Sequence, residues 1–554
     1  MEKKQNKYEC DDIIYRIMYV EITDCKRFMA LYGTPEEISL VTTALTKEIP
    51  NAWLLKKISN VRITERKFIS DVANLVPIGL WIAVIKICKM CNMRCDLSPN
   101  MQQYIMQFQF DRAAFDQWLD VFFDDAVGYD SDGKPFDFRP YGYQRDAAYK
   151  LLQFRRCLGS ISTSAGKTLI SFIIYAYLET HNLLKPDERF VVIVPNKDLV
   201  NQTADEFVKT NSWLTKPIDL DIGVLYSNMA KKMKEQSDKC RILVSTYQSL
   251  RTKKPEYLHR FGGCIIDEAH HANAMSCIGI ITKAINLRYC IGVSGTIPKE
   301  DTYEYLSLCS YIGGGTVYTY TPEDLIKEKK GTPLEVEFLV LNWASEKQKQ
   351  EMWTLRMTKN PDDPTAGSRV LKAEELLINS SYTRLKYICE EVIRVTRDGS
   401  NALVLFADIK NGYGRKLYDY IKENSDSPVF YVDGNTPVEN RKWIKEQVNS
   451  NERAICVASQ GTFGEGTNIK RLHYIFFTGG FSKSSNLMTQ VAGRGLRLYE
   501  GKDKVVLYDV VDDLRYGGDV GKAYYNYSYQ HYRERKKVYG DLKYPMKKRV
   551  VSFS

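Results

Sequence analysis

A chain of 554 residues, 44 % hydrophobic and 26 % charged, is long enough for several buried cores and too apolar for a disordered chain. Its formal net charge of +10 is unevenly placed: residues 515–554 hold ten Lys/Arg and three Asp/Glu, which points to a polyanionic partner. Thirteen scattered cysteines argue against a disulfide framework and fit a reducing compartment, and the longest apolar run, Leu75 to Ile85, is too short to span a bilayer. Met1 to Lys7 has no apolar stretch of the kind that targets a chain for export. The expectation is a cytoplasmic protein with no membrane partner.

Residues 1–130 read as a small α+β domain. They mix short strand-like runs with helical stretches at Leu80 to Asn92 and Asp111 to Phe123. Cys88, Cys91 and Cys95 have a spacing that invites zinc. They lack an adjacent fourth ligand, and the segment is an apolar helix, so buried structural cysteines are the better reading. The polar, turn-rich stretch Asp124 to Pro135 reads as a linker.

Residues 131–325 alternate between apolar strands and helices, with strands at Phe190 to Val194, Arg241 to Val244, Cys264 to Ile266 and Tyr289 to Val293. That alternation predicts a parallel sheet wrapped by helices, with ligands at the carboxyl ends of its strands. Arg139-Pro-Tyr-Gly-Tyr-Gln144 comes first, and Gln144 has the bidentate geometry that suits an adenine edge. Next is Ser160-Ile-Ser-Thr-Ser-Ala-Gly-Lys-Thr168, just before the apolar run Leu169 to Leu178. Thr163, Ser164, Ala165 and Gly166 form a turn at a helix N-terminus, where N–H groups and the dipole favour phosphate. Lys167 can reach the β- and γ-phosphates of ATP, and Thr168 can ligate Mg²⁺. The first glycine of the usual phosphate-loop pattern is replaced by Ile161. Pro195 and Asn196, then Ser245 and Thr246, end later strands, where hydroxyls and backbone N–H groups can hold nucleic-acid phosphates. Asp267 and Glu268 end another, within Ile265-Ile-Asp-Glu-Ala-His270. Asp267 suits Mg²⁺, and Glu268 suits polarising the attacking water. Ser294-Gly-Thr296 follows.

Residues 326–514 repeat the alternation, with strands at Ala402 to Phe406, Val429 to Val432, Ala454 to Val457, Tyr474 to Phe477 and Lys504 to Tyr508. Phe406 and Ser459 are further candidate nucleic-acid contacts, and Gly466 a candidate nucleotide contact. Gln490-x-x-Gly-Arg494-x-x-Arg497 places Gln490, Arg494 and Arg497 on one helix face, where two arginines can stabilise transition-state charge. Residues 515–554 form a tail that interleaves tyrosines with Arg533, Arg535, Lys536 and Lys537. Such a tail can stack bases and track phosphates, or it can pack its tyrosines on the preceding lobe.

This motif set is that of the superfamily 2 helicases, and it resembles the bacteriophage UvsW-like helicases in particular. The resemblance reaches beyond the motor, to Leu75-Val-Pro-Ile-Gly-Leu80, Phe115-Asp-Gln-Trp-Leu119, the Val457 to His473 region and Tyr544-Pro-Met-Lys547. The first fifty residues depart from it. The resemblance implies an α/β protein with two tandem RecA-like lobes after a small α+β, DNA-binding domain. It also implies ATP-driven remodelling of branched or forked DNA: fork regression, Holliday-junction branch migration and R-loop unwinding on an RNA–DNA hybrid. The implied protein is a monomer working with single-strand-binding or recombination proteins. An RNA helicase, the motor of a restriction-type nuclease and a non-unwinding nucleotide-gated binding protein are the alternatives. An intact Glu268 speaks against the last, since a switch needs no fast hydrolysis.

Overall fold

The alternating runs resolve into sheets wrapped by helices. The computed structural model describes residues 16–23, 27–50, 64–106, 110–130, 133–227, 229–273, 275–358, 366–407, 412–463, 469–479, 499, 501–517 and 525–553. They fall into two compact units, one running to residue 161 and from 166 to 319, the other comprising 162–165 and the chain from 320 onward. Among the described residues no helix is long and apolar enough to cross a membrane.

The first unit begins with β1 (Arg16–Ile22), β2 (Phe28–Tyr32), β3 (Thr46–Glu48), β4 (Glu65–Lys67), β5 (Leu75–Pro77) and β6 (Met93–Leu97). Four of these form a mixed sheet in the order β5-β2-β1-β6, with β2 antiparallel and β6 parallel to β1. Period-2 alternation turns Met18, Val20 and Ile22 inward. The helix Trp81–Met90 answers with Trp81, Val84, Ile87 and Cys88 on one buried stripe. Cys88, Cys91 and Cys95 are free thiols, and among the described residues no three or more His, Cys, Asp or Glu side chains are grouped as metal ligands.

This N-terminal layer shares one hydrophobic core with the larger, parallel sheet of the same unit. The contact is close at Gly79, where a Cβ would lie 2.1 Å from the Cys309 carbonyl oxygen, so only glycine lets the two backbones meet. Arg66 reinforces it by donating to the Tyr311 hydroxyl at 2.7 Å. The polar stretch read as a linker carries a short hairpin, β7 (Val127–Tyr129) with β8 (Pro135–Asp137).

The parallel sheet of this unit comprises β9 (Arg156–Ile161), β10 (Arg189–Val194), β11 (Ile222–Leu225), β12 (Ile242–Thr246), β13 (Phe261–Asp267), β14 (Tyr289–Ser294) and β15 (Thr316–Tyr320). The order is β11-β12-β10-β13-β14-β9-β15. Every residue of β10 is buried because helices cover both faces, which is why such strands read as unbroken apolar runs.

The second unit repeats the plan with β16 (Leu334–Trp343), β17 (Ala402–Phe406), β18 (Val429–Val432), β19 (Ile455–Ser459), β20 (Tyr474–Phe477), β21 (Val505–Asp513) and β22 (Met546–Phe553). Their order is β18-β19-β17-β20-β21-β16-β22. Each unit thus carries one RecA-like lobe, as the sequence pattern led us to expect. Sequence pattern missed β9, β11, β15, β16 and β22, which are short, lie at edges or carry charges.

The tail belongs to the second sheet. Its helix, Tyr527–Asp541, buries Tyr529, Tyr532, Arg535 and Tyr539. Glu374 caps its first turn, accepting from the backbone N–H of Tyr527 at 2.8 Å and of Ser528 at 2.7 Å. Burial still pushes the Glu374 carboxyl upward, against those hydrogen bonds. Beyond the helix, β22 pairs in parallel with β16 and closes the sheet edge. Arg535, expected at nucleic-acid phosphate, is instead 3 % exposed and forks onto Asp509, with Nε–Oδ2 at 2.8 Å and Nη2–Oδ1 at 2.7 Å. A guanidinium three residues after Tyr532 falls on the same helical stripe and is carried into the core with it. Much of the tail's surplus charge is neutralised in the same way: Arg515 pairs with Asp513, Lys547 with Glu335, and Arg549 with Glu337 and Glu391. Arg533, Lys536 and Lys537 stay exposed.

Arg535→Ala should therefore destabilise the protein by about 3–5 kcal/mol, because it strands the buried Asp509 carboxylate. Lys536→Ala and Lys537→Ala should stay within about 0.5 kcal/mol of the parent. Denaturant melts of the three variants check both statements, and equal midpoints would refute the buried-pair account.

Candidate active site

Parallel register brings the candidate residues together. Asp267 at the end of β13 lies beside Val293 of β14, and Val293 lies beside Gly159 of β9. The three strands therefore deliver the Asp267-Glu268 pair, the Ser294 turn and the phosphate-type loop to one edge, two strand spacings or about 10 Å across. Along β9 that loop is a tight turn. Ser164 and Gly166 take left-handed conformations, φ 73° and 79°, and Ala165 N–H donates to Ser162 O at 3.1 Å. Gly166 has a second reason to be glycine: a Cβ there would sit 2.4 Å from Gln144 Nε2. Lys167 then opens the helix Lys167–Thr180, with Thr168 as its second residue.

The helix N-terminus is an unfavourable place for a cation. Lys167 is held there by carboxylates: its Nζ donates to Glu268 Oε1 at 2.6 Å and lies 3.6 Å from Asp267 Oδ1. Burial works against the ammonium, but Glu268 and Asp267 outweigh it and hold its pKa up. Burial likewise raises the Asp267 carboxyl, whereas for Glu268 the Lys167 charge outweighs burial and holds the carboxylate ionised. Glu268 sits at φ 49°, a strained conformation for a residue with a side chain and one that clusters at functional sites. Its other oxygen, Oε2, accepts from Ser294 Oγ at 3.2 Å. With the Ser294 hydrogen directed at Glu268, His270 Nδ1 is the donor in the 2.7 Å contact with Ser294 Oγ. Thr296 N–H also donates to Ser294 Oγ, at 3.1 Å. Ser294 and His270 thus join the candidate set through a hydrogen-bond relay. Their motifs are visible in the sequence, but the link between them is not.

The donor set fits a nucleotide with its metal. Two carboxylates already surround a cation, the Lys167 ammonium, and a glycine-turned loop precedes a helix N-terminus that favours phosphate. Gln144 is buried, its Oε1 accepting from Tyr141 N–H at 2.9 Å, which leaves its amide nitrogen beside Gly166. Arg139 lies in reach of Asp124 at 3.6 Å and Asp137 at 3.5 Å, half exposed among hairpin carboxylates.

Residues expected at nucleic acid divide by burial. Asn196 and Thr246 are helix N-caps, accepting from Leu199 N–H at 3.0 Å and Ser249 N–H at 3.4 Å, with Pro195 just before Asn196. They stand at the carboxyl ends of β10 and β12, where a backbone could be met. Ser245 is fully buried and its hydroxyl donates to Leu225 O at 2.9 Å, so it offers phosphate nothing. Phe406 is also fully buried, its ring filling the space over Gly414, and is a core residue rather than a contact. Both lie on strands buried at every position, covered on both faces. Ser459 is 1 % exposed and bonded to Thr462 Oγ1 at 2.7 Å. Gly466, Gln490, Arg494 and Arg497 lie outside the described residues.

The model of the type III restriction enzyme res subunit matches residues 137–299, and the helicase conserved C-terminal domain matches residues 383–499. The first match takes in β9 to β14 of the first parallel sheet, and the second takes in β17 to β20 of the other. The chain is 26 % identical over 482 residues to the ATP-dependent DNA helicase uvsW of Enterobacteria phage T4, covering 86 % of this chain and 88 % of that one. The DNA 3'-5' translocase XPB2 of Sulfurisphaera tokodaii is 27 % identical over 183 residues, 33 % of this chain and 36 % of its own. In fold, it is similar to S. cerevisiae Dbp5 bound to RNA and ADP BeF3, at 13 % identity and a TM-score of 0.50, over 74 % of this chain and 90 % of that one.

The chain is an ATP-dependent DNA helicase similar to uvsW. If the Lys167–Glu268 cluster serves ATP turnover, substitutions there have distinct expected outcomes. Lys167→Ala should abolish ATP hydrolysis. Glu268→Gln should retain nucleotide binding while turnover falls by roughly 10²-fold or more. Steady-state phosphate release and nucleotide titrations measure these, and wild-type turnover in Glu268→Gln would remove Glu268 from water activation.

Proposed function

We propose that this helicase remodels branched or forked DNA, regressing forks, migrating Holliday junctions and unwinding R-loops in phage recombination, repair and replication. One observation carries the reading: the Lys167–Glu268–Ser294–His270 relay stands at the aligned strand ends of a chain that resembles a phage DNA helicase over most of its length. In this reading Lys167 exchanges Glu268 for the phosphates of ATP, and Glu268, released, orients the attacking water. Thr168 and Asp267 would hold Mg²⁺, which would supply charge neutralisation at the transferred phosphoryl group. Ser294 reports the change to His270, since its hydroxyl touches both.

Gln144 and the turn from Thr163 to Gly166 are assigned to the nucleotide. Pro195, Asn196 and Thr246 are assigned to the nucleic-acid backbone. Gly466, Gln490, Arg494 and Arg497 keep their nucleotide assignments on sequence spacing alone. We divide the chain into an accessory DNA-binding domain (1–130), two helicase lobes (131–325 and 326–514) and a tail (515–554), and take it to act as a monomer in the cytoplasm. ATPase rates with single-stranded DNA, duplex, fork, Holliday junction and RNA, compared side by side, test the reading. Forked and four-way DNA should stimulate most. Greater stimulation by RNA than by any DNA would replace it with the RNA-helicase alternative.

A further inference from the structure

We infer that the first lobe carries a second polyanion track, built from residues 230–260, which takes the phosphate backbone of duplex nucleic acid. The inference rests on the helicase reading and adds a surface that none of its motifs contains. These residues hold nine Lys/Arg and three Asp/Glu. What matters is how few of the nine are neutralised. Arg241 is turned inward to Glu179, 3.0 Å away, and to backbone carbonyls. Lys231 reaches Glu235 at 3.9 Å. Asp238 is claimed by the neighbouring segment: it accepts from the Tyr257 hydroxyl at 2.7 Å and lies 3.3 Å from Lys253 Nζ, while its backbone oxygen accepts from Arg260 at 3.2 Å. Asp238 thereby pins residues 253–260 beside the helix Lys231–Ser237 and makes one surface of two stretches of chain. Lys232, Lys234, Lys239, Arg251 and Lys254 then pair with no carboxylate among the described residues, and all but the half-buried Lys234 are exposed.

The tail offers the contrast. It has the larger surplus in sequence, yet Arg515, Arg535, Lys547 and Arg549 are neutralised by carboxylates of their own unit. Local net charge in sequence therefore overstates the free charge of the tail.

Chemistry favours a nucleic-acid backbone. The face gathers at the amino-terminal ends of β12 and β13, where Arg189, the first residue of β10, bonds the Ser237 and Cys240 carbonyls, so it lies at the sheet edge opposite Thr246 and apart from the motifs. Duplex DNA presents one negative charge per about 1.7 Å, which suits cations spread over a surface without base-reading groups. An acidic peptide would want an apolar anchor in a pocket, and Met233 is the large apolar side chain exposed among these lysines.

The test compares wild type with a variant carrying Lys232→Ala, Lys234→Ala, Lys239→Ala and Lys254→Ala. The slope of log affinity for duplex DNA against log salt should become shallower by about 3.6, roughly 0.9 for each of the four lost contacts. Basal ATPase and melting temperature should not change, and half-saturating DNA for stimulated turnover should rise roughly tenfold with the plateau preserved. The double variant Lys232→Ala, Lys254→Ala should give about half the slope change and guards against misfolding of the larger one. An unchanged slope, with wild-type DNA stimulation intact, overturns this face alone. An unchanged slope with lost capture of poly-L-glutamate overturns it in favour of an acidic protein partner. Wild-type protein that binds no nucleic acid in a salt-dependent way removes both this inference and the helicase reading on which it rests.

Discussion

A buried cation at the N-terminus of a helix is the constraint around which the first lobe is organised. Lys167 stands where the dipole opposes it and solvent is scarce, so it is tolerable only with Glu268 and Asp267 beside it. Those carboxylates in turn are tolerable at a strand end only with Lys167 present. Neither partner is intrinsically stable there, so the cluster is poised to accept a different ion pair. A helix N-terminus prefers an anion, and phosphate satisfies Lys167 and the helix together while freeing Glu268. In-register pairing of β13, β14 and β9 makes this possible, because a one-residue slip would turn Asp267 to the other face of the sheet.

The second lobe solves a related problem by burying charge permanently. Arg384 and Asp512 are both fully buried, with Arg384 Nε 2.7 Å from Oδ1 and Nη2 2.9 Å from Oδ2. The remaining donors reach Tyr413 and the Thr478 carbonyl. Gly479 leaves room for that guanidinium, since a Cβ would lie 2.7 Å from Nη2. Arg535 with Asp509 and Glu374 with the tail helix repeat the device. Such groups add little net stability over well-packed apolar side chains, but they penalise any register that leaves them unpaired. They account for the tail's docking as one helix and one edge strand on this sheet.

The N-terminal layer is bound to the first lobe by shape more than by charge. Gly79 against Cys309 and the shared apolar core form the contact, and Arg66 on Tyr311 with Lys86 on Glu300, at 2.8 Å, borders it. Its helix and strands were visible as short apolar runs, yet nothing in their spacing announced a common core with residues two hundred positions later.

Sequence alone determined the RecA-like pattern, the order of the motifs and the identity of Lys167, Asp267 and Glu268, because strand and helix periodicities are local and the motif chemistry depends on neighbours within a few residues. Tertiary structure alone decided which polar and cationic residues are accessible. Ser245, Phe406 and Arg535 look like contacts in sequence, but layers on both faces of the strands and the helical stripe bury them. The Ser294–His270 relay spans 24 positions and exists only because β14 lies beside β13. Part of the tail's charge likewise looks free in sequence until the carboxylates that neutralise Lys547 and Arg549, about 200 residues away, are seen beside them, while Arg533, Lys536 and Lys537 stay exposed. Charge and composition are properties of the chain, whereas whether a charge is free depends on what the fold places within about 4 Å of it.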